Sequence, residues 1–248
     1  MRENVKRSVP WFVGRSAHKG VMVIVAGGPS LRSRLDKIKS HQQQGRAIVA
    51  CNAAGRLLRA NQITPNFVAF VDPSPVVSGF FDDEPDISTY LVSSSCHPSV
   101  FDKLQNRHVV MWHGDNGIPE QRKVLDEYPD RPSVLIGGGN TIALRMLTVG
   151  YAMGFRTFHM YGVDSSYAND GADHAYIKHD GVEPVSGPVQ MNGKVYIAAP
   201  WMIKQAEDFK YWYAKMRGMN CKVYVHGEGL IPDMAKEMNR IVRERIAA

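Results

Sequence analysis

Residues 21–31 read VMVIVAGGPSL: six apolar or small residues, then Gly27-Gly28, then Pro29-Ser30 opening a polar stretch with helical spacing. The order predicts a buried strand running into a glycine turn and the start of a helix. A helix start carries unpaired N–H groups and the positive end of the helix dipole, and glycines let a phosphate approach the backbone closely. The junction suits a nucleotide or other phosphorylated ligand, although such a turn also serves many α/β folds for its geometry alone. It is neither G-x-G-x-x-G nor G-x-x-x-x-G-K-[ST], which argues against a dinucleotide dehydrogenase and an ordinary P-loop kinase.

Outward from this junction, strand patterns recur at 21–26, 46–51, 66–71, 90–94, 108–112, 133–136, 156–161 and 221–225. Their β-branched, two-sided apolar character is that of a buried parallel sheet. Helical spacing marks 30–44, 53–61, 98–105, 140–153, 200–217 and 230–246. The alternation predicts an α/β fold with a Rossmann-like, doubly wound, mostly parallel sheet and ligands beyond the carboxyl ends of its strands. Asn192-Gly193 between two alternating runs predicts a β-hairpin with a type I′ turn. With the polar stretch before it, the hairpin forms a flap over about 165–198. Residues 21–248 then make one domain, and the basic residues 1–20 a mobile or docking arm.

The chain has 248 residues, 44% of them apolar, enough for a substantial core without metal or disulfide staples. Cys51, Cys96 and Cys221 are odd in number, widely spaced and set in or beside apolar runs, which predicts reduced core thiols and a cytoplasmic setting. No apolar stretch reaches bilayer length. The formal charge of +6 suits phosphorylated substrates, but the basic residues are dispersed and no nucleic-acid signature accompanies them.

Polar elements gather at predicted strand ends: Gly27-Gly28-Pro29-Ser30, Cys51-Asn52, Asp72-Pro73-Ser74 and Gly162-Val163-Asp164-Ser165. Gly137-Gly138-Gly139-Asn140-Thr141 forms a second strand–glycine–helix junction, so two helix starts could grip two parts of a nucleotide. Asn52 is a phosphate or ribose contact or a plain N-cap. Asp72 and Asp164 are metal ligands, hydroxyl acceptors or structural caps. His97, His108, His113, His159, His174 and His179 lack zincin spacing. His174, in the polar segment after Asp164, is a surface histidine or a general base. No Gly-x-Ser-x-Gly elbow is present. Trp201, Phe209, Trp212, Tyr213 and Met216 read as core or as a contact between subunits.

Taken in order, VIVAGGPSL, CNAAGRLLRANQITPNFVAFVD, GGGNTIALRMLTVGYAMGFRTFHMYGVDSSY and DHAY resemble the 6-hydroxymethylpterin diphosphokinase MptE-like family. More distantly they resemble bacterial sialyltransferases and motility-associated glycosyltransferases that share a G-P-S-L turn. The resemblance covers about residues 20–230. It implies a transferase with a nucleotide donor. The preferred reaction moves a nonulosonic-acid-type sugar from a CMP-sugar to a hydroxyl acceptor. The alternatives are Mg²⁺-dependent transfer of diphosphate from ATP to a pterin-like alcohol, and a non-catalytic nucleotide-binding or bacteriophage assembly module. The implied partners are a small-molecule donor and acceptor, with homo-oligomerisation left open.

On this resemblance Gly27, Gly28, Pro29 and Ser30 hold donor phosphate or ribose, and Asn52 touches the nucleotide. Gly138, Gly139, Asn140 and Thr141 line the base or sugar, Asp164 closes the site, and His174 corresponds to the sialyltransferase base. Tyr167 or Tyr176 steadies the departing phosphate. In the diphosphokinase alternative Asp72 and Asp164 hold Mg²⁺. Two departures stand out: the Asp164–His174 loop is far shorter than in sialyltransferases, and Tyr167 is displaced from the phosphate-steadying position.

Overall fold

The computed structural model describes residues 1–81, 88–176 and 185–247. The strands are β1 (Val21–Val25), β2 (Ala47–Cys51), β3 (Phe67–Phe70), β4 (Thr89–Ser93), β5 (Val109–Gly114), β6 (Leu135–Ile136), β7 (Thr157–Tyr161), β8 (Gly187–Met191), β9 (Lys194–Ala198) and β10 (Lys222–His226). Eight of them form one sheet in the order β10-β7-β1-β2-β3-β4-β5-β6, with every neighbouring pair parallel. The chain steps outward from β1 to β6 and then returns to lay β7 on the other flank of β1. That reversal is the topological switch point, the crevice where open parallel sheets take their ligands. All eight sheet strands coincide with the predicted runs.

The helices are α1 (Leu35–Gln43), α2 (Ala54–Ala60), α3 (Pro98–Lys103), α4 (Pro119–Asp126), α5 (Ile142–Ala152), α6 (Pro200–Gly218) and α7 (Leu230–Ala247). Period-two alternation divides the strands between two cores. Met22 and Ile24 of β1 pack with α5 and α6, whereas Val23 and Val25 pack with Leu31, Ile38 and Leu58 on the other face. Helix α5 is buried from Ile142 through Gly150, which explains a sequence apolar on almost every side. Its single cation, Arg145, donates to the Asp115 and Ile136 carbonyls at 2.8 and 3.2 Å and to Asn116 Oδ1 at 2.9 Å. Helix α4 carries too few apolar positions over its eight residues for spacing alone to reveal it. Pro29–Arg34, predicted as helix, is a 3₁₀ segment leading into α1.

Strands β8 and β9 pair antiparallel across Asn192 and Gly193, both at positive φ (51° and 74°), as a type I′ turn requires. The hairpin is latched to α7 through buried Asp233, which accepts from Tyr196 Oη at 2.5 Å and Lys236 Nζ at 2.6 Å. Among the described residues no helix is long and apolar enough to cross a membrane. Cys51, Cys96 and Cys221 are buried free thiols.

Of the mobile or docking arm expected for residues 1–20, the first part packs against the domain itself. Val5, Trp11 and Phe12 are buried, Trp11 bridges to Met111 of β5, and Asn4 Nδ2 donates to the Ser94 and Cys96 carbonyls at 3.0 and 2.8 Å. Its dispersed basic residues concealed three apolar anchors. Arg131 clamps the stretch: its guanidinium donates to the Val5 carbonyl at 3.0 Å and to the Val9 carbonyl, and lies 4.1 Å from the Trp11 ring centroid. Arg131→Met is expected to lower unfolding stability by about 2 kcal/mol or more. A denaturant midpoint unchanged from wild type would show that the clamp is not needed.

Candidate functional site

The carboxyl ends of β1, β2 and β7 meet the start of α5 and the segment 172–176 around a cavity of about 150 Å³. The Gly27-Gly28 turn forms one wall. Gly28 N donates to the Gly162 carbonyl at 2.8 Å, tying β1 to β7. A Cβ on Gly28 would stand 2.7 Å from that carbonyl oxygen and 2.8 Å from the Asp164 carboxylate, so only glycine fits. At Gly27 a Cβ would strike the Tyr176 hydroxyl.

Asp164 is 3% exposed and spends both oxygens on the turn: Oδ2 accepts from Ser30 N and Oδ1 from Ser30 Oγ, each at 2.6 Å. Burial pushes its carboxyl up to about 6 against the pull of these bonds from Ser30. Of the readings open to it, the structural cap is the one formed: Asp164 fastens β7 to the Gly-Pro-Ser turn. Asp72 is exposed and accepts from Ser74 N at 2.8 Å in a local turn. Strand β3, which it follows, lies three strands from β7. At ~4.8 Å per strand, about 14 Å separates the two strand ends. The expected shared Mg²⁺ site of Asp72 and Asp164 is therefore not formed, and among the described residues no cluster of three His, Cys, Asp or Glu could hold a metal ion.

Asn52 is not an N-cap: α2 follows Ala53 with no side-chain cap. It sits at φ 51° on the cavity wall, and no described group donates to its buried Oδ1. Of the second glycine junction, only Thr141 reaches the cavity. Gly138 and Gly139 make room for α5, since a Cβ on either would strike Arg145 or Leu144 at 2.6 and 2.5 Å, and Asn140 is exposed with its N–H on Asp208. Thr141 caps α5 by accepting from Leu144 N at 3.3 Å. Ile142 and Ala143, whose first-turn N–H groups no intrahelical carbonyl reaches, also line the cavity. Among the described residues no lysine or arginine lines it, which leaves the α5 dipole and these N–H groups as its attraction for an anion.

Segment 172–176 is held over the turn by Ala175 N donating to the Gly27 carbonyl at 2.8 Å and Arg32 Nε donating to the Ala175 carbonyl. It brings His174, Asp173 and Tyr176 to the cavity. His174 Nδ1 lies 3.1 Å from Asp173 Oδ1. Burial, with Cys51 and Asp173 nearby, pushes the Tyr176 hydroxyl up to about 12, so it stays a neutral donor. Tyr167 instead packs with Ala198, Ala199 and Met202 beneath the hairpin. It lines a second cavity of about 870 Å³ between Pro29-Ser30 and β9, which shares Asp164 and Ser166 with the first. Pro29 and Ser30 line that second cavity and not the first.

Sequence reasoning passed over Asp173, Ser166 and Gln205, and placed Ser165 at a strand end and Trp201 in the core without a role at the site; all five lie on the first cavity's wall. Trp201, grouped with the core of α6, is 39% exposed, whereas Phe209, Tyr213 and Met216 are core. His179 lies outside the described residues.

A parallel sheet whose switch point joins a glycine turn, a capped helix start and a polar strap defines a Rossmann-like α/β protein with its crevice at the carboxyl ends of the central strands. The family model for 6-hydroxymethylpterin diphosphokinase MptE-like proteins matches residues 1–170, and the chain belongs to that family. The solved structure of the MAf glycosyltransferase from Magnetospirillum magneticum AMB-1 is similar over 98% of this chain, with a TM-score of 0.67 and 18% identity. This chain spans 40% of that protein's length. No curated protein matches the sequence.

Proposed function

We propose that this chain is a transferase that moves a nonulosonic-acid-type sugar from a CMP-sugar to a hydroxyl acceptor. The observation that supports it is His174 on the wall of the cavity that also holds the Gly27-Gly28 turn and the start of α5. The donor phosphate sits against the first-turn N–H groups of α5, where the helix dipole stabilises negative charge. The acceptor oxygen, entering from the larger cavity, attacks the anomeric carbon while its proton passes to His174. The bond from that carbon to the phosphate oxygen breaks, and its electron pair leaves on CMP, steadied by a hydrogen bond from Tyr176. Asp164 works one step back, holding the turn in shape through Ser30.

The description of the family favours a second reading, diphosphate transfer from ATP to a pterin-like alcohol. The separation of Asp72 from Asp164 removes those two as joint Mg²⁺ ligands, so we route no step through the metal. A thermal-shift panel of CMP, CDP, UDP, GDP and ATP, each with Mg²⁺ and with chelator, separates the readings. CMP at a hundred times its dissociation constant is expected to stabilise the fold by ~2.7 kcal/mol, or about 5 °C, equally in both conditions. A response confined to ATP with Mg²⁺ would replace sugar transfer with diphosphate transfer. Silence toward all five would favour a non-catalytic module.

A further inference from the structure

We propose that Trp201 and Gln205 form the nucleobase pocket of the site: the base of the donor nucleotide stacks on the Trp201 indole, and an acceptor atom on its edge takes a hydrogen bond from Gln205 Nε2. The inference rests on the reading of the cavity as a nucleotide site, and it assigns the part of the ligand that the α5 start and the glycine turn do not engage. Three observations carry it. Trp201 and Gln205 stand four residues apart near the start of α6, so they share one face of that helix, and both line the cavity that holds the α5 start. Trp201 is 39% exposed on that wall, whereas Met202, Phe209 and Tyr213 of the same helix are at most 1% exposed. The core is therefore filled by the other face of α6, and the indole is left to the cavity.

The third observation is the orientation of the Gln205 carboxamide. Ser165 Oγ donates to Gln205 Oε1 at 3.0 Å, and no described group accepts from Nε2. The amide oxygen is thus engaged and the amide nitrogen is the end offered to a ligand. Ser165 holds a left-handed backbone, φ 50°, which glycine would adopt more readily. A serine there keeps the hydroxyl that turns Gln205, and strain of this kind is retained at cavity walls where the side chain it aims is used. An aromatic face accepts any base by stacking, while a fixed donor beside it matches an acceptor edge such as N3 and O2 of cytosine. With phosphate at the α5 start and base at the α6 start, the nucleotide spans two neighbouring helices.

The decisive experiment is calorimetric titration of the full chain with CMP, with ATP and with ribose 5-phosphate, which carries sugar and phosphate but no base. Trp201→Ala is expected to weaken the bound nucleotide about 5- to 150-fold, the range of one base–aromatic stack, and to leave ribose 5-phosphate within about twofold of wild type. Trp201→Phe, which keeps an aromatic face, is expected to retain most of the affinity and covers the case in which alanine disturbs α6. Gln205→Met, of similar length without a donor, is expected to weaken the nucleotide by about two- to tenfold. Ser165→Gly, which relaxes the backbone and frees the carboxamide, is expected to lose affinity in the same sense.

Fluorescence gives a readout that a merely structural role would not move. The bound nucleotide is expected to quench indole emission in wild type, and the quench should vanish in Trp201→Phe while calorimetry still records binding. Nucleotide affinity unchanged in Trp201→Ala, or nucleotide and ribose 5-phosphate weakened together, overturns the pocket and leaves the nucleotide reading standing. A wild-type chain that binds neither CMP nor ATP removes that reading and the pocket with it.

Discussion

His174→Ala is expected to lower CMP-sugar turnover by ~10²–10⁴-fold, the range a positioned general base contributes. Its melting temperature should stay within about 2 °C of wild type, because the ring is partly exposed and belongs to no core cluster. Separation of the two effects is what gives the experiment its force. The strap is fixed through the backbone of Ala175 and through Tyr176 over Gly27, contacts that do not involve the imidazole. CMP binding should survive as well, since the turn and the α5 start are untouched. A variant that binds CMP normally yet turns over within about tenfold of wild type removes His174 from the proton transfer. Tyr176→Phe is the companion: it keeps the ring over Gly27 and deletes only the donor to the departing phosphate.

The sheet was legible because each strand is apolar on both faces and bounded by polar turns, so alternation with helices left one architecture. The hairpin was legible for a separate reason, since Asn192-Gly193 is one of few pairs that accept two positive φ values in succession. The site was legible only where local chemistry and global position coincide. Gly27, Gly28 and Asn52 lie at strand ends beside the switch point and reach the cavity. Gly138 and Gly139 carry the same local signature but end β6 at the sheet's rim, and their lack of side chains serves the approach of Arg145 and Leu144. Asp72 and Asp164 look equivalent in sequence, and only strand order shows that β1 and β2 stand between them. Asp173 was hidden because nothing in the letters shows a strap bent over the Gly27 carbonyl, which is what brings it to the cavity wall.

Stability is expected to fall steeply as pH drops from 6.5 toward 4. Burial holds His41, His113 and His159 down to about 4, from an ordinary 6.5. Arg46 and His226 add to the effect at His41, Arg131 and Arg122 at His113, and His41, His226 and Arg46 at His159. Each ring is neutral in the fold while its unfolded counterpart already binds a proton, so the unfolded state gains throughout that window and nothing is lost above it. A fully buried ring accounts for about 2 kcal/mol at pH 5, so His41 and His113 account for about 4 kcal/mol together and His159, which water reaches, for less than its share. Asp164 acts in the opposite sense. Its carboxyl, raised from 3.8 to about 6, takes up a proton in the fold first and returns about 1 kcal/mol over the same range. The net loss of about 3 kcal/mol is a large share of the ~5–15 kcal/mol a domain holds. His113 is the ring to replace: it is 1% exposed, meets Trp11 edge-on at 4.5 Å, and finds a hydrogen-bond partner for neither nitrogen among the described residues. His113→Leu therefore removes a proton acceptor without breaking a bond. The gap between urea midpoints at pH 7 and pH 5 is expected to shrink by half or more. An undiminished gap would place the acid sensitivity elsewhere, with the His41, His159 and His226 group as the next to change.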